Sequence, residues 1–443
     1  RARPPGAAAG GASGGPRRAM QLFEQIGAAF EQLASGQCRW EVLSKAELRE
    51  VQVAGSLGAI ECSRSELHDL AMEYTWAEMA TATAGFAKGH LLGRGACGWV
   101  FRGSLPEGTE VAVKVIQAPV QGGFEEEVRL LSRCRHPNVV MLLGYSEEPA
   151  APVPALGRRA QSVGGLPRPP PAAQRRALVY ELLPGGDLHA RLRQHLPPYT
   201  WRDRLRTAME VARGLAHLHR HRPEIFHRDI KSQNILFGAD GTARIADFGL
   251  ACMPASRQAR QLATGDVAGT LGYADPLYSR TGVVTEASEV YSFGMVLVEL
   301  LTGCPPAVVA ADGVSCAFLS DELRPWEDRA KQRVFQRLDP RAQWPPASAA
   351  GLATLALLCI HEDSLRRPAF LEVTTMLQDM IDEAEAFEAA SSARTSSARA
   401  SSSRSQVSAR SHASASVGAQ AASPGDAAPG AARGVAAQPL AMA

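Results

Sequence analysis

The stretch HRDIKSQNILF, His227 to Phe237, crowds an acid, three basic side chains and two amides among short apolar residues. Asp229 can orient a substrate hydroxyl and take its proton, Lys231 can offset charge on a moving phosphoryl group, and Asn234 can bind a divalent cation. A surface turn of mutually satisfied polar groups is the plain alternative. It loses weight because ARIADFGLA follows, placing Asp247 thirteen residues after Asn234 between apolar residues and a glycine. That setting suits a carboxylate aimed into a cleft to hold Mg²⁺ through oxygen, with waters and phosphates completing the shell. Two hard oxygen ligands favour magnesium over zinc.

Upstream, LGRGACGWV carries Gly93, Gly95 and Gly98 in a GxGxxG pattern. Alone the pattern is weak, because it also opens a dinucleotide-binding helix. Here Val100, Phe101 and a second strand follow in place of a helix, so Leu92, Gly93, Arg94, Gly95, Ala96, Cys97 and Gly98 read as a strand-to-strand loop over phosphates. Glycine lets the backbone approach phosphate oxygens with no Cβ in the way. Sixteen residues beyond Gly98, Lys114 ends VAVK. A strand lysine is ordinarily a solvated edge residue. This one alternates with apolar neighbours, so it is expected to point inward to the α- and β-phosphates. Glu127, in FEEEVRLLSRCRHPNVV, is the acid expected to hold it, with Glu125 and Glu126 solvated.

Strands and helices must position these groups. WVFRG and EVAVKVIQA alternate β-branched and polar residues across the turn-rich SLPEGTE, giving a hairpin-rich sheet with one helix over 124–135. Helical periodicity runs over 200–219, 286–302 and 348–381. Residues 146–176 have no apolar periodicity and abundant proline, and read as a disordered insertion within a folded unit. Capping-box spacing at Ser63/Glu66 and Thr75/Glu78 marks two helix starts, and Phe23, Ile26, Phe30 and Leu33 share a helical face. The expected organisation is a disordered arm over 1–18, a partly helical extension over 19–86, a domain over 87–381 and a disordered Ala/Ser/Arg-rich tail over 382–443.

A net charge of +2 gives no global field for nucleic acid or membrane. The 8 cysteines are scattered without a CxxC pair, as in a reduced, intracellular protein. No apolar run approaches the roughly 20 residues of a bilayer span. A cytoplasmic location is therefore expected, with peripheral membrane association and a targeting segment ahead of Arg1 both left open. His217, His219, His221 and His227 do not read as a metal site, since three of them end a helix before the catalytic stretch and no acid or cysteine is expected to complete a shell. Arginines dispersed through the tail leave a weak footprint for nucleic acid, and none is expected as a partner.

In order, GRGACGWV, VAVK, Glu127, HRDIKSQN and DFG resemble the signature set of eukaryotic protein kinases over about 87–381. YTWAEMATATAGF, LVYELLPGGDL, ARGLAHLH, VYSFGMVLVELLTG and LDPRAQWP resemble the receptor-like and Pelle/interleukin-receptor-associated kinases of the tyrosine-kinase-like group. The resemblance implies an α+β, bilobal fold with a small antiparallel-sheet N-lobe bearing one regulatory helix and a larger helical C-lobe. It implies ATP and Mg as cofactors, protein substrates and autophosphorylation; oligomeric state is not specified. Val100, Ala112 and Leu236 would enclose adenine, backbone groups at Glu181 to Leu183 would bond its edge, Tyr180 would be the gatekeeper, and Leu131, Leu142, His227 and Phe248 would stack as a spine. Lys231 implies serine/threonine specificity. Arg228 implies control by phosphorylation of a loop, with Thr264 the preferred site and Thr270 in the substrate-binding loop.

Two departures matter. GYADPLY puts Leu277 where the family has a glutamate paired to a buried arginine, here Arg367. Asp275 is expected to take over that arginine. Glu289 stands where the family has an aspartate supporting the catalytic loop, and reaches the same hydrogen bonds only with a small backbone adjustment. These departures motivate the alternative of a pseudokinase scaffold with little or no phosphotransfer.

Overall fold

The computed structural model describes residues 67–95, 98–116, 123–149, 175–194, 198–256, 258–264, 267–309, 316–323, 329–387 and 389. The expected arm over 1–18, the helical face from Phe23 to Leu33, the Ser63/Glu66 box, positions 150–174 of the insertion, and Ala96 and Cys97 lie outside them, as does the tail apart from its first residues. The chain divides into two compact units, Arg1–Asp382 and Glu383–Ala443. In the second, residues 383–387 and 389 are helical; everything below concerns the first.

Strands β1 (Met72–Glu73), β2 (Leu91–Gly95), β3 (Gly98–Ser104), β4 (Glu110–Ile116), β5 (Leu142–Glu147) and β6 (Arg176–Glu181) form one sheet in the order β1-β5-β6-β4-β3-β2. Every neighbouring pair is antiparallel except β1 with β5. Ser146, Glu147 and Arg176, assigned to the insertion by sequence, are strand residues. Ser146 is buried, and the sequence reading missed it because polar residues at a strand end carry no periodic signal.

The β1 pairing also went unanticipated. A two-residue strand has no readable period. Its partner Gly144 does carry a reason: a Cβ there would stand 2.2 Å from the Met72 carbonyl oxygen. After β1 comes α1 (Trp76–Ala82), whose capping box is the expected one. Thr75 Oγ1 accepts from the Glu78 amide, and Glu78 Oε2 accepts from the Thr75 amide. Met79 of α1 is fully buried against Phe101, Val111, Val113, Val115 and Val179, which alternate along their strands on the sheet face opposite Lys114.

Helix α2 (Gly123–Arg133) ends two residues short of the expected 135 and buries Phe124, Glu127, Val128, Leu130 and Leu131. Beyond the sheet the chain is mainly helical: α3 (Leu188–Arg193), α4 (Trp201–Arg220), α5 (Pro276–Thr281), α6 (Glu286–Thr302), α7 (Ala330–Gln336) and α8 (Pro346–Cys359). Between α4 and α6 lie β7 (Ile235–Phe237) paired with β8 (Ala243–Ile245), and β9 (Gln261–Ala263) paired with β10 (Val283–Thr285). The periodic stretch 348–381 is not one helix. It stops at Cys359, passes a 3-10 turn over Ser364–Arg366, and is helical again from 370. Pro368 lies in the break, where a helix would need the amide N–H that proline lacks.

The first departure is compensated as expected. Arg367 Nη2 donates to Asp275 Oδ1 at 3.0 Å and Nη1 lies 2.9 Å from Oδ2, with both side chains about fully buried at 1% and 2% exposure. The same guanidinium donates to the carbonyls of His361 and Ala287. Asp275 in turn caps α5 by accepting from the Leu277 amide.

Candidate active site

Lys114 sits in mid-sheet, opposite Val100 on β3 and Leu178 on β6. It is buried, so its ammonium needs carboxylate partners. Nζ lies 3.1 Å from Glu127 Oε2 on α2 and 2.7 Å from Asp247 Oδ1. Asp247 follows β8 at a left-handed φ of 62°, a conformation uncommon for a residue with a side chain. Burial works against its ionisation, but Lys114 outweighs this and holds the carboxyl below the usual carboxylate range. The sequence reading did not anticipate that the Tyr180 hydroxyl donates to Glu127 Oε1.

The stretch His227–Phe237 forms a second cluster. Asp229 Oδ2 accepts from Lys231 Nζ at 2.6 Å and from Asn234 Nδ2 at 3.0 Å. Its other oxygen accepts from Thr270 Oγ1 at 2.6 Å, and that hydroxyl accepts from Lys231 Nζ at 2.8 Å. Asn234 also donates to the Asp229 carbonyl. The His227 Nδ1 accepts from the Asp229 amide, so a neutral ring carries its proton on Nε2, which donates to the Ala246 carbonyl. The buried His227 ring meets Phe248 edge-on at 4.7 Å, and Phe248 lies in the buried cluster that holds Leu131 and Leu142.

The remaining expected residues line the approach. Leu92, Gly93, Arg94 and Gly95 are on β2 and Gly98 opens β3. At Gly98 φ is 148°, and a Cβ would fall 2.0 Å from the Val115 carbonyl oxygen. Val100 is half-buried, while Ala112, Leu183 and Leu236 are partly buried against the main core. Glu181 is committed elsewhere by its side chain, which accepts from the Met141 amide at 2.8 Å and pairs with Arg244. Thr264 is half-buried, its Oγ1 donating to the Gly282 carbonyl at 2.9 Å. Arg228 donates to the Tyr278 hydroxyl at 3.1 and 3.2 Å.

Glu289 makes the contact its position calls for: Oε1 accepts from the Arg228 amide at 2.6 Å. Its second oxygen meets His219, which also meets Glu224. Two acids therefore surround this histidine: Glu224, five residues along the chain and passed over by the sequence reading, and Glu289, seventy residues away. Among the described residues no group of three or more His, Cys, Asp and Glu side chains could hold a metal ion, and no helix is long and apolar enough to cross a membrane.

The protein kinase domain family matches residues 86–377. The chain belongs to the protein kinase family. It is 35% identical over 318 residues to the proline-rich receptor-like protein kinase PERK7 of Arabidopsis thaliana, covering 69% of this chain and 41% of that one. To PERK1 of the same plant it is 34% identical over 328 residues, covering 71% and 46%. The probable serine/threonine-protein kinase PBL2, also from Arabidopsis thaliana, is 34% identical over 323 residues, 69% of this chain and 70% of the relative. This kinase chain thus spans less than half the length of the two proline-rich receptor-like relatives. The sheet with α2 and the helical part beyond it are the N-lobe and C-lobe of the kinase fold.

Proposed function

We propose that the chain is a serine/threonine protein kinase that transfers the γ-phosphoryl group of ATP to protein hydroxyls in intracellular signalling, with Mg²⁺ as the working cation. One observation carries this reading: Lys114 joins Glu127 and the distant Asp247, while Lys231, Asn234 and the distant Thr270 all bond Asp229, so two polar clusters of the expected side chains form.

The residues fit the nucleotide and metal. Gly98 leaves no room for a side chain at the hairpin that would cover phosphates, and Asp247 is a carboxylate kept ionised beside a cation. Asp247 and Asn234 supply hard oxygen ligands, and Val100, Ala112 and Leu236 supply apolar surface for a base. When bound, magnesium–ATP supplies the phosphoryl group and part of the neutralising charge. Lys114, fixed by Glu127, orients the phosphates electrostatically. Asp229 positions the protein hydroxyl and takes its proton at Oδ1, which that hydroxyl must share with or take over from Thr270. Lys231 remains beside Asp229 and stabilises charge developing on the transferred group.

Phosphorylation of Thr264, by the chain itself or another kinase, would regulate this site. It requires the bond from Thr264 to the Gly282 carbonyl to open. A cytoplasmic location and protein substrates complete the reading. The scaffold alternative rested on Leu277 and Glu289, and the Asp275–Arg367 pair and the Glu289–Arg228 bond weigh against it. Full-length protein given labelled ATP and Mg²⁺ is expected to transfer label to serine or threonine, and Asp229→Asn to transfer almost none. Equal label in both proteins would sink the enzyme reading.

A further inference from the structure

One buried titratable group has no part in the mechanism above. His219, near the end of α4, stacks on Phe370 at 5.0 Å and touches Phe226 edge-on at 5.6 Å. Both ring nitrogens nevertheless face carboxylates. Nδ1 lies 2.8 Å from Glu224 Oε1 and Nε2 lies 2.8 Å from Glu289 Oε2. A neutral imidazole has a single N–H and would leave one of these buried acids facing a lone pair. Only the imidazolium donates at both ends.

Charge balance agrees. Glu224 and Glu289 are 1% and 2% exposed, so a neutral ring would leave two buried negative charges together. With His219 charged one remains, and Arg260, just before β9, faces it with Nη1 at 3.7 Å from Glu224 Oε2. That oxygen has no hydrogen-bond partner among the described residues. Glu286, at the start of α6, adds to the negative potential, and Arg222 Nη1 donates to the His219 and His221 carbonyls. Burial alone would lower the His219 pKa, but the bonds to Glu224 and Glu289 outweigh it and raise it to about 9.

The cluster reaches the reaction through Glu289. Its Oε1 holds the amide of Arg228, a non-glycine residue at φ 67° immediately before Asp229. Left-handed backbone at such a residue persists only when its surroundings enforce it.

We infer that Glu224 is a positioning residue: by keeping His219 doubly protonated it holds Glu289 on the Arg228 amide and so fixes the backbone that presents Asp229. The inference rests on the kinase reading. Glu224 touches neither substrate nor nucleotide, and its effect passes through His219 and Glu289. The sign follows from the raised pKa: the contribution is complete below the ordinary histidine pKa of about 6.5 and is lost as pH rises through about 9.

The test uses the full chain, a serine peptide and magnesium–ATP, with kcat and KM measured from pH 6 to 10 and melting temperature followed over the same range. Wild type is expected to lose kcat near pH 9 with KM for ATP little changed. Glu224→Gln, which keeps the shape and removes the charge, is expected to move that alkaline limb and the alkaline fall in melting temperature down by about one pH unit or more. Glu224→Asp, which keeps the charge, should restore much of both and serves if the amide variant folds poorly. Arg260→Gln removes an exposed opposing cation and should move the limb slightly upward. Identical limbs in wild type and Glu224→Gln overturn the inference, as does a downward shift in Arg260→Gln. A shift in melting alone, with the kcat limb fixed, reduces Glu224 to a structural role. A melting shift in a wild-type protein that transfers no phosphate would instead strike at the kinase reading while leaving the histidine cluster standing.

Discussion

Replacing Asp275 by alanine tests how the C-lobe tolerates the missing glutamate. Arg367 would keep the His361 and Ala287 carbonyls but lose both carboxylate oxygens while 1% exposed, leaving a buried cation without a counter-ion. Breaking a buried pair in this way costs about 3–5 kcal/mol, and loss of the α5 cap adds about 1 kcal/mol. For a domain of this size the sum lowers the melting temperature on the order of 10 °C or more. Differential scanning fluorimetry of the full chain reads it directly. Two second-site changes in the alanine background sharpen the reasoning. Leu277→Glu returns an acid to the place the family uses, and Arg367→Met removes the stranded charge; each should recover part of the loss. A drop under about 2 °C for Asp275→Ala, or no recovery with Arg367→Met, would refute the claim that an uncompensated buried charge sets the cost.

Gly98→Ala should distort the β3–β4 hairpin, since its Cβ would press on the Val115 carbonyl at 2.0 Å; a raised KM for ATP together with a lower melting temperature is the expected pattern. Met79→Ala opens a cavity beneath α1 at a fully buried position and should cost about 2–5 kcal/mol in denaturant titration, a figure near zero meaning that α1 is not part of the cooperative lobe. Thr264→Val removes the bond to the Gly282 carbonyl, worth about 1 kcal/mol, and should abolish any activation that follows preincubation with ATP; undiminished activation places the regulatory site elsewhere.

The site was legible where one residue type in one local pattern carries the chemistry. Lys114 is an inward lysine in an alternating strand, Asp247 an acid between apolar residues, and Gly98 a position where a side chain cannot fit, and each stands where the pattern put it. Asp275 was legible for another reason: an arginine left without its customary acid directs attention to the nearest substitute. Contacts fixed by tertiary approach were not. The Tyr180 hydroxyl on Glu127 joins two side chains brought together by sheet and helix packing, and the His219–Glu289 contact joins two helices across seventy residues with no local spacing to announce it. Among elements, long periodic helices such as α4 were placed to within a residue, whereas β1 had too few residues to show a period.

That short strand sets a practical limit on how the protein can be shortened. The protein kinase domain match starts at residue 86, after β1 and α1 have already closed one side of the N-lobe. A chain cut at that point would bare the outer margin of β5 and uncover the greasy surface now shielded by Met79 and Trp76. An unprotected margin of this kind invites sticking between molecules. The folding unit therefore begins earlier than the domain match, and preparations started near residue 67 should stay monodisperse where those started at 86 clump.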